Sequence, residues 1–186
     1  MTTHDTTCAW AMNHPLEREY HDAEWGKPVH DDQTLFEFLT LEGAQAGLSW
    51  ITILRKREGY RQAFENYDIA KLAQYDESHV EAIIAGYDVV KHRGKIASVF
   101  SNARATLALQ AEFGSLDAAL WQFVNGQPQV NHWTEMSQVP VSTEASKAMS
   151  KFLKKRGFKF VGETICYSFM QAMGLVNDHL DNCPKK

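Results

Sequence analysis

Glu42 and Trp50 are the residues whose types and spacing first suggest chemistry. The run Leu41-Glu42-Gly43-Ala44-Gln45-Ala46-Gly47-Leu48-Ser49-Trp50 is mostly apolar and small, yet it carries one acid and one tryptophan. On a helix, Glu42, Ala46 and Trp50 share one face, and Leu35 and Leu39 continue it. An acid on such a face is costly to bury unless a cation or a hydrogen-bond donor meets it. Two arrangements fit. Glu42 is solvated at the rim of a core helix with Trp50 in the core, or both line a pocket in which a flat cationic ligand stacks on Trp50. Residues 8–30 are dense in aromatics for a loop-like segment, with Trp10, Tyr20 and Trp25. They either cap the core or line a cleft, and the cleft gains weight because Tyr20 and Trp25 flank His21 and Glu24.

Metal chemistry is suggested at the two chain ends. His179 and Cys183 are four residues apart and share a face of a helix or turn; Cys8 and His21 stand at the other end. Two Cys and two His complete a tetrahedral zinc set with no open position, which would make the site structural. The spacing departs from a standard finger, whose cysteines usually pair as CxxC, so spacing alone leaves zinc open. A site there would tie residue 8 to residue 183. Three cysteines are too few for a disulfide framework, and Cys166, within an apolar helical pattern, reads as a core thiol.

A third feature is the glycine-punctuated turn Gly86-Tyr87-Asp88-Val89-Val90-Lys91-His92-Arg93-Gly94-Lys95. Between two helical patterns, it could aim backbone N–H groups and a helix N-terminus at a phosphate, or simply connect helices.

The elements that must position these residues read as all-α. Asp32 looks like an N-cap for a helix burying Leu35, Phe36, Phe38 and Leu39. A second helix is expected over Trp50–Arg57, short amphipathic pieces over Tyr60–Tyr75, and a helix through Val80, Ile83 and Ile84 capped by Asp76. The longest runs from about Lys95 to about Glu112, with Ile96, Val99, Phe100, Ala103 and Leu107 inside. Leu116–Val124 is a short apolar helix, and 125–141 is a surface connection. Ser142 or Thr143 opens a helix ending at Lys154-Lys155-Arg156, and the last runs over Gly162–Met173. The short Phe158–Val161 stretch is either a strand or a loop.

The 186 residues, 44% hydrophobic, suit one domain or two small lobes. No run approaches the ~18 apolar residues of a membrane span. The opening Met-Thr-Thr-His-Asp lacks the look of a secretion signal, so a soluble cytoplasmic protein is expected. A net charge of −4 argues against blanket nucleic-acid binding but permits a local basic face.

Several long runs together carry a resemblance. Tyr20-His21-Asp22-x-Glu24-Trp25-Gly26, the Leu41–Trp50 run, Lys154–Gly162, Thr164–Ala172 and Gly174–His179 resemble, in order, the constitutive bacterial 3-methyladenine DNA glycosylase I family. The likeness spans Cys8 to Cys183. It implies a single two-lobed, all-α domain of the helix-hairpin-helix glycosylase superfamily. One lobe would be built from both chain ends and stapled by zinc; the other would be a central helical lobe over about 35–125, with the hairpin at 86–96. It implies one structural zinc per chain on Cys8, His21, His179 and Cys183. It implies a base pocket with Glu42 as the catalytic acid group and Tyr20, Trp50 and Trp10 around it; Trp25 joins them from the cleft reading. It implies that the turn holds the DNA backbone through Gly86, Lys91, Arg93, Gly94 and Lys95.

The activity so implied is monofunctional release of 3-methyladenine from alkylated double-stranded DNA, by a monomer. N3-methylation makes adenine cationic and a good leaving group, so the task is to extrude and hold the base. Tyr20 and Trp50 would supply stacking worth about 1–3 kcal/mol per base, and Gly47 and Leu48 suit entry into the gap left in the duplex. Related glycosylases use an Asp beyond the hairpin; Glu112 and Asp117 in that neighbourhood sit in no catalytic motif, and the family is expected to use no such acid. Lys95 is the amine to check for lyase chemistry, with a phosphate or solvent as its expected partner. Two departures stand out: Glu17 where an aromatic is expected, and Asp88 in the hairpin, which must point away from a phosphate. The other classes considered are a non-enzymatic damage sensor and a zinc-stapled interaction domain.

Overall fold

The computed structural model describes residues 6–186; Met1–Asp5, read above for a leader, lie outside them. Among the described residues the chain is mostly helical, with ten α-helices. They are α1 (Pro15–Ala23), α2 (Asp32–Ala44), α3 (Trp50–Arg55), α4 (Arg57–Ala63), α5 (Ile69–Leu72), α6 (Val80–Gly86), α7 (Arg93–Phe113), α8 (Leu116–Trp121), α9 (Glu144–Lys155) and α10 (Glu163–Ala172). No described helix is long and apolar enough to cross a membrane.

Helix α2 is the axis of the site. Every residue from Leu35 to Ala44 is buried, against α10, α8 and α7. A helix buried on all sides has little freedom to shift, so a side chain on it is held in place. Its N-cap is Asp31, whose carboxylate accepts from the Thr34 N–H at 2.9 Å. Asp32, expected in that role, is the first helical residue. Its carboxylate instead accepts from the Leu116 and Asp117 N–H groups, each at 2.9 Å, capping α8 from across the fold.

The helix expected over 50–57 is two: α3 ends at Arg55 and α4 begins at Arg57, with Lys56 between. Helix α7 buries Ile96, Val99, Phe100 and Ala103 as expected, but Leu107 is exposed; Thr106 and Leu109 continue the inner stripe. Thr106 suits that place because its hydroxyl donates to the Asn102 carbonyl at 2.8 Å. The all-α expectation also needs one correction. Gln129–Val130 and Val176–Asn177, here β1 and β2, form a two-stranded parallel pair. Each is two residues long, too short for alternation to show in the sequence. Phe158–Val161 is not a strand.

Asp178, just after β2, locks the connection following β1 onto α10. It is fully buried and accepts from Asn131 Nδ2 and Trp133 Nε1 at 2.8 Å, Gln171 Nε2 at 2.9 Å, and the Tyr167 hydroxyl. Four donors satisfy a carboxylate that would otherwise be costly to bury.

Candidate functional site

A cavity of about 240 Å³ opens between α1, α2, α3 and α10. Trp10, Tyr20, Trp25 and Trp50 form its aromatic walls, Glu17, Glu42, Gln45, Ser168 and Gln171 its polar lining, and Met136 reaches it from the long connection. The rings of Tyr20 and Trp50 lie 5.4 Å apart at 52°, and those of Trp10 and Trp25 5.1 Å apart at 72°. Such an arrangement offers several ring faces to one flat guest.

Helix geometry explains the convergence. Glu17, Tyr20 and His21 fall at three- and four-residue steps along α1. Phe38, one turn before Glu42 on α2, stacks behind Tyr20 at 6.2 Å and 16°. Arg57 lies over the Phe38 ring at 5.4 Å and holds Glu24 with two 2.8 Å hydrogen bonds.

The solvated-rim arrangement for Glu42 is excluded. It is 5% exposed and has no hydrogen-bond partner among the described residues. Burial alone pushes its carboxyl up to about 8, because the charged form loses its water and gains nothing in return. The Tyr20 hydroxyl and the Trp50 indole N–H are also buried without partners. Buried polar groups in native proteins are nearly always paired, so an acid, a hydroxyl and an indole N–H without partners among the described residues make this cavity the candidate ligand site. Among the described residues, no lysine or arginine lines the cavity.

Gly47 and Leu48 sit on the loop between α2 and α3. Gly47 has φ +78°, a conformation glycine adopts freely, and Leu48 is 39% exposed. The Lys95 ammonium is the strut for this loop: it donates to the carbonyls of Ala44 at 2.9 Å and Ala46 at 2.7 Å. Its partner is thus neither phosphate nor solvent, which corrects the expectation for that residue, and it stands outside the cavity.

The other hairpin cations are also engaged. Lys91 donates to the carbonyls of Ile84 (2.6 Å) and Tyr87, closing the end of α6. Arg93 is exposed and paired with Glu81. Asp88 points to Lys56 at 2.6 Å. Gly86 faces open space, whereas a Cβ at Gly94 would meet the His92 ring at 3.1 Å. Glu112 and Asp117 are outside the cavity, paired with Arg156 and His30.

Cys8, His21, His179 and Cys183 converge, all buried, with ligand atoms within 4.8 Å of one another. Cys183 Sγ is 3.6 Å from both His21 Nε2 and His179 Nδ1, and Cys8 Sγ is 3.9 Å from His179 Nδ1. Tetrahedral zinc bond lengths imply sulfur–nitrogen separations of roughly 3.5 Å. The far nitrogens fix the ring tautomers. His179 Nε2 donates to the Trp25 carbonyl at 2.9 Å, and His21 Nδ1 meets Asp22 at 2.7 Å. Each inner nitrogen therefore presents a lone pair, as a metal ligand must. Burial pushes the Cys8 thiol up to about 11, so a thiolate there calls for a cation beside it. The four residues fit a metal ion. Trp25 joins the two sites: its ring lines the cavity and stacks with His21 at 5.9 Å.

The structure thus brings together all five residues expected at the pocket and all four expected at the metal. Sequence reasoning had given no role to Gln45, Ser168 or Gln171, although Gln45 is three residues beyond Glu42 and Ser168 and Gln171 are three apart on α10. Met136 carried no signal in the sequence.

Residues 10–186 match the family model described as methyladenine glycosylase. The chain is 53% identical over 176 residues to DNA-3-methyladenine glycosylase 1 of Escherichia coli K12, covering 95% of this chain and 94% of that protein. It is 49% identical to DNA-3-methyladenine glycosylase of Haemophilus influenzae, covering 97% and 98%. A solved structure of 3-methyladenine DNA glycosylase I from Staphylococcus aureus, described as the structural basis of 3-methyladenine recognition, superposes with a TM-score of 0.94 at 36% identity, covering 98% of this chain and 97% of that one.

Proposed function

This chain belongs to the methyladenine glycosylase family, and from that premise we propose how its residues carry out the reaction. It is a DNA glycosylase of base-excision repair, hydrolysing the N-glycosidic bond of 3-methyladenine and leaving an abasic site. The bond between the sugar's anomeric carbon and the base breaks, its electron pair neutralises the cationic base, and water adds to the sugar with loss of a proton.

The observation that carries the pocket assignment is the cavity lined by Glu42, which burial alone shifts, and by a Tyr20 hydroxyl and Trp50 N–H without partners among the described residues. An extruded base stacks against Tyr20 and Trp50, with Trp10 and Trp25 closing the walls. Glu42 hydrogen-bonds its edge. A cation beside Glu42 favours the carboxylate, so base binding below about pH 8 releases a proton. Lys95, the amine considered for Schiff-base chemistry, is held by the Ala44 and Ala46 carbonyls, which suits hydrolysis by water.

The hairpin reading places α6, the 87–92 turn and α7 as the helix-hairpin-helix element of a two-lobed domain. Backbone N–H groups between Gly86 and Gly94 approach a phosphate of double-stranded alkylated DNA, with Lys91 bracing the turn. Arg93 can exchange its exposed pairing with Glu81 for a phosphate at little cost. Gly47 and Leu48, braced by Lys95, enter the gap left by the extruded nucleotide.

Zinc fits the cluster of two cysteines and two histidines, where it would be structural, one per chain, clipping the chain ends together. A cytoplasmic monomer completes the reading. Chromatography of free bases released from methylated duplex DNA tests it: 3-methyladenine appears and 7-methylguanine does not. DNA binding without any base release would sink it.

A further inference from the structure

Glu17 is a second acid at the same cavity, and neither the reaction nor the fold described so far uses it. It lines the cavity, is 8% exposed, and has no ion pair or hydrogen bond from its side chain among the described residues. A buried unpartnered acid is expensive unless something repays it. Glu17 lies in the first turn of α1, where Pro15 has no N–H and the Leu16 N–H already donates to His14 Nδ1, so only the helix dipole favours an acid. That lowers the cost of keeping it there but gives it no partner.

Among the described residues, no lysine or arginine side chain lines the cavity. Its two acids also differ in setting. Glu42 lies inside α2, where burial pushes it up to about 8 and favours its protonated form at neutral pH. Glu17 lies near a helix N-terminus, on the same helix as Tyr20.

We propose that Glu17 is a specificity-determining residue by which this pocket distinguishes a positively charged base from a neutral one. The inference rests on the base-pocket reading. A neutral base entering the cavity strips the remaining water from Glu17 and returns nothing. A cationic base of the same shape strips the same water and returns an opposite charge. Rejection of the wrong guest contributes as much as attraction of the right one. The unmodified bases of DNA are neutral, and an N3-alkylated purine nucleotide is a cation. This residue therefore reads the one property that every N3-alkylated purine has and every normal base lacks.

Two probes separate charge from shape: N3,N9-dimethyladeninium, a permanent cation, and its neutral isostere with carbon in place of the methylated nitrogen. Their affinities are measured by tryptophan fluorescence titration on the full-length protein, on Glu17→Gln, Glu17→Asp and Glu42→Gln. The native protein is expected to favour the cation by about tenfold or more. Glu17→Gln should reduce that preference by about fivefold or more, chiefly by weakening the cation, and Glu17→Asp should restore part of it. Thermal unfolding checks that each variant is folded; Glu17→Asp keeps the comparison alive should Glu17→Gln be unstable. An unchanged preference in Glu17→Gln, or a preference lost only in Glu42→Gln, overturns the proposal and leaves the pocket intact. Failure of the native protein to bind either probe overturns the pocket reading as well.

Discussion

Asp178 and Glu42 are both buried carboxyls, and the fold treats them in opposite ways. Asp178 accepts hydrogen bonds from four side chains. Glu42, on α2, accepts none among the described residues, and burial pushes it up to about 8. The same contrast extends to their regions. Around Asp178 and the Cys/His cluster, histidine nitrogens, indole N–H and amides all have partners. Around Glu42, a hydroxyl and an indole N–H have none. Satisfied polar groups hold a fold in one arrangement; unsatisfied ones suit a complementary ligand.

Metal removal should break the satisfied region most severely. Structural zinc contributes on the order of 10 kcal/mol in small finger peptides, and a domain with its own core depends on it less. A strong chelator should still lower the melting temperature by about 10 °C or more. Elemental analysis should find one zinc per chain, and a fully folded metal-free preparation of unchanged melting temperature would contradict the assignment.

Asp178→Ala comes next. It leaves the Tyr167 hydroxyl and the Trp133 and Asn131 N–H groups without their acceptor, at roughly 1–3 kcal/mol for each that stays buried. Urea unfolding should show a loss of about 3 kcal/mol or more; a loss under about 1 kcal/mol would mean water replaces the carboxylate readily.

The pH dependence sharpens the contrast further. Glu42 has a folded value raised above its unfolded one, from 4.5 to about 8. Its contribution is therefore fully present below about pH 4.5 and is lost as pH rises through about 8. Relative to Glu42→Gln, the native protein should lose stability across that window by at most roughly 1.4 kcal/mol per pH unit. Parallel stability curves for the two would show that the carboxyl is solvated after all.

Leu48→Ala should have the smallest effect on the fold. With its side chain already partly in solvent, stability should change by about 0.5 kcal/mol or less. On the proposed DNA-facing reading of this loop, base release from duplex DNA should also slow. An unchanged rate would remove Leu48 from that reading.

How much of this was legible in the sequence follows from the kinds of interaction involved. The helices were legible from apolar periodicity, and Thr143 and Gly157 marked the limits of α9. The metal set was legible because few residue types ligate zinc. Glu42 could be singled out because an acid amid Leu41, Gly43 and Ala44 breaks a local pattern. The hairpin cations were harder. Lys91 and Lys95 meet backbone carbonyls, which every residue carries, so no residue type in the sequence marks their partners. Asp32 capping α8 is invisible for the same reason: its targets are backbone N–H groups more than eighty positions away. The strands β1 and β2 were too short to leave a pattern, and Met136 reaches the cavity through a connection without periodicity.

One experiment bears most directly on the contrast between the two carboxyls: Glu42→Gln, with 3-methyladenine release and urea unfolding measured on the same preparation. Release should fall by about a hundredfold or more, while stability at pH 8 stays level or rises, because an unpartnered acid has been removed from the interior. Retained release, or a loss of release that merely tracks a loss of stability, would show that Glu42 belongs to the fold rather than to the reaction.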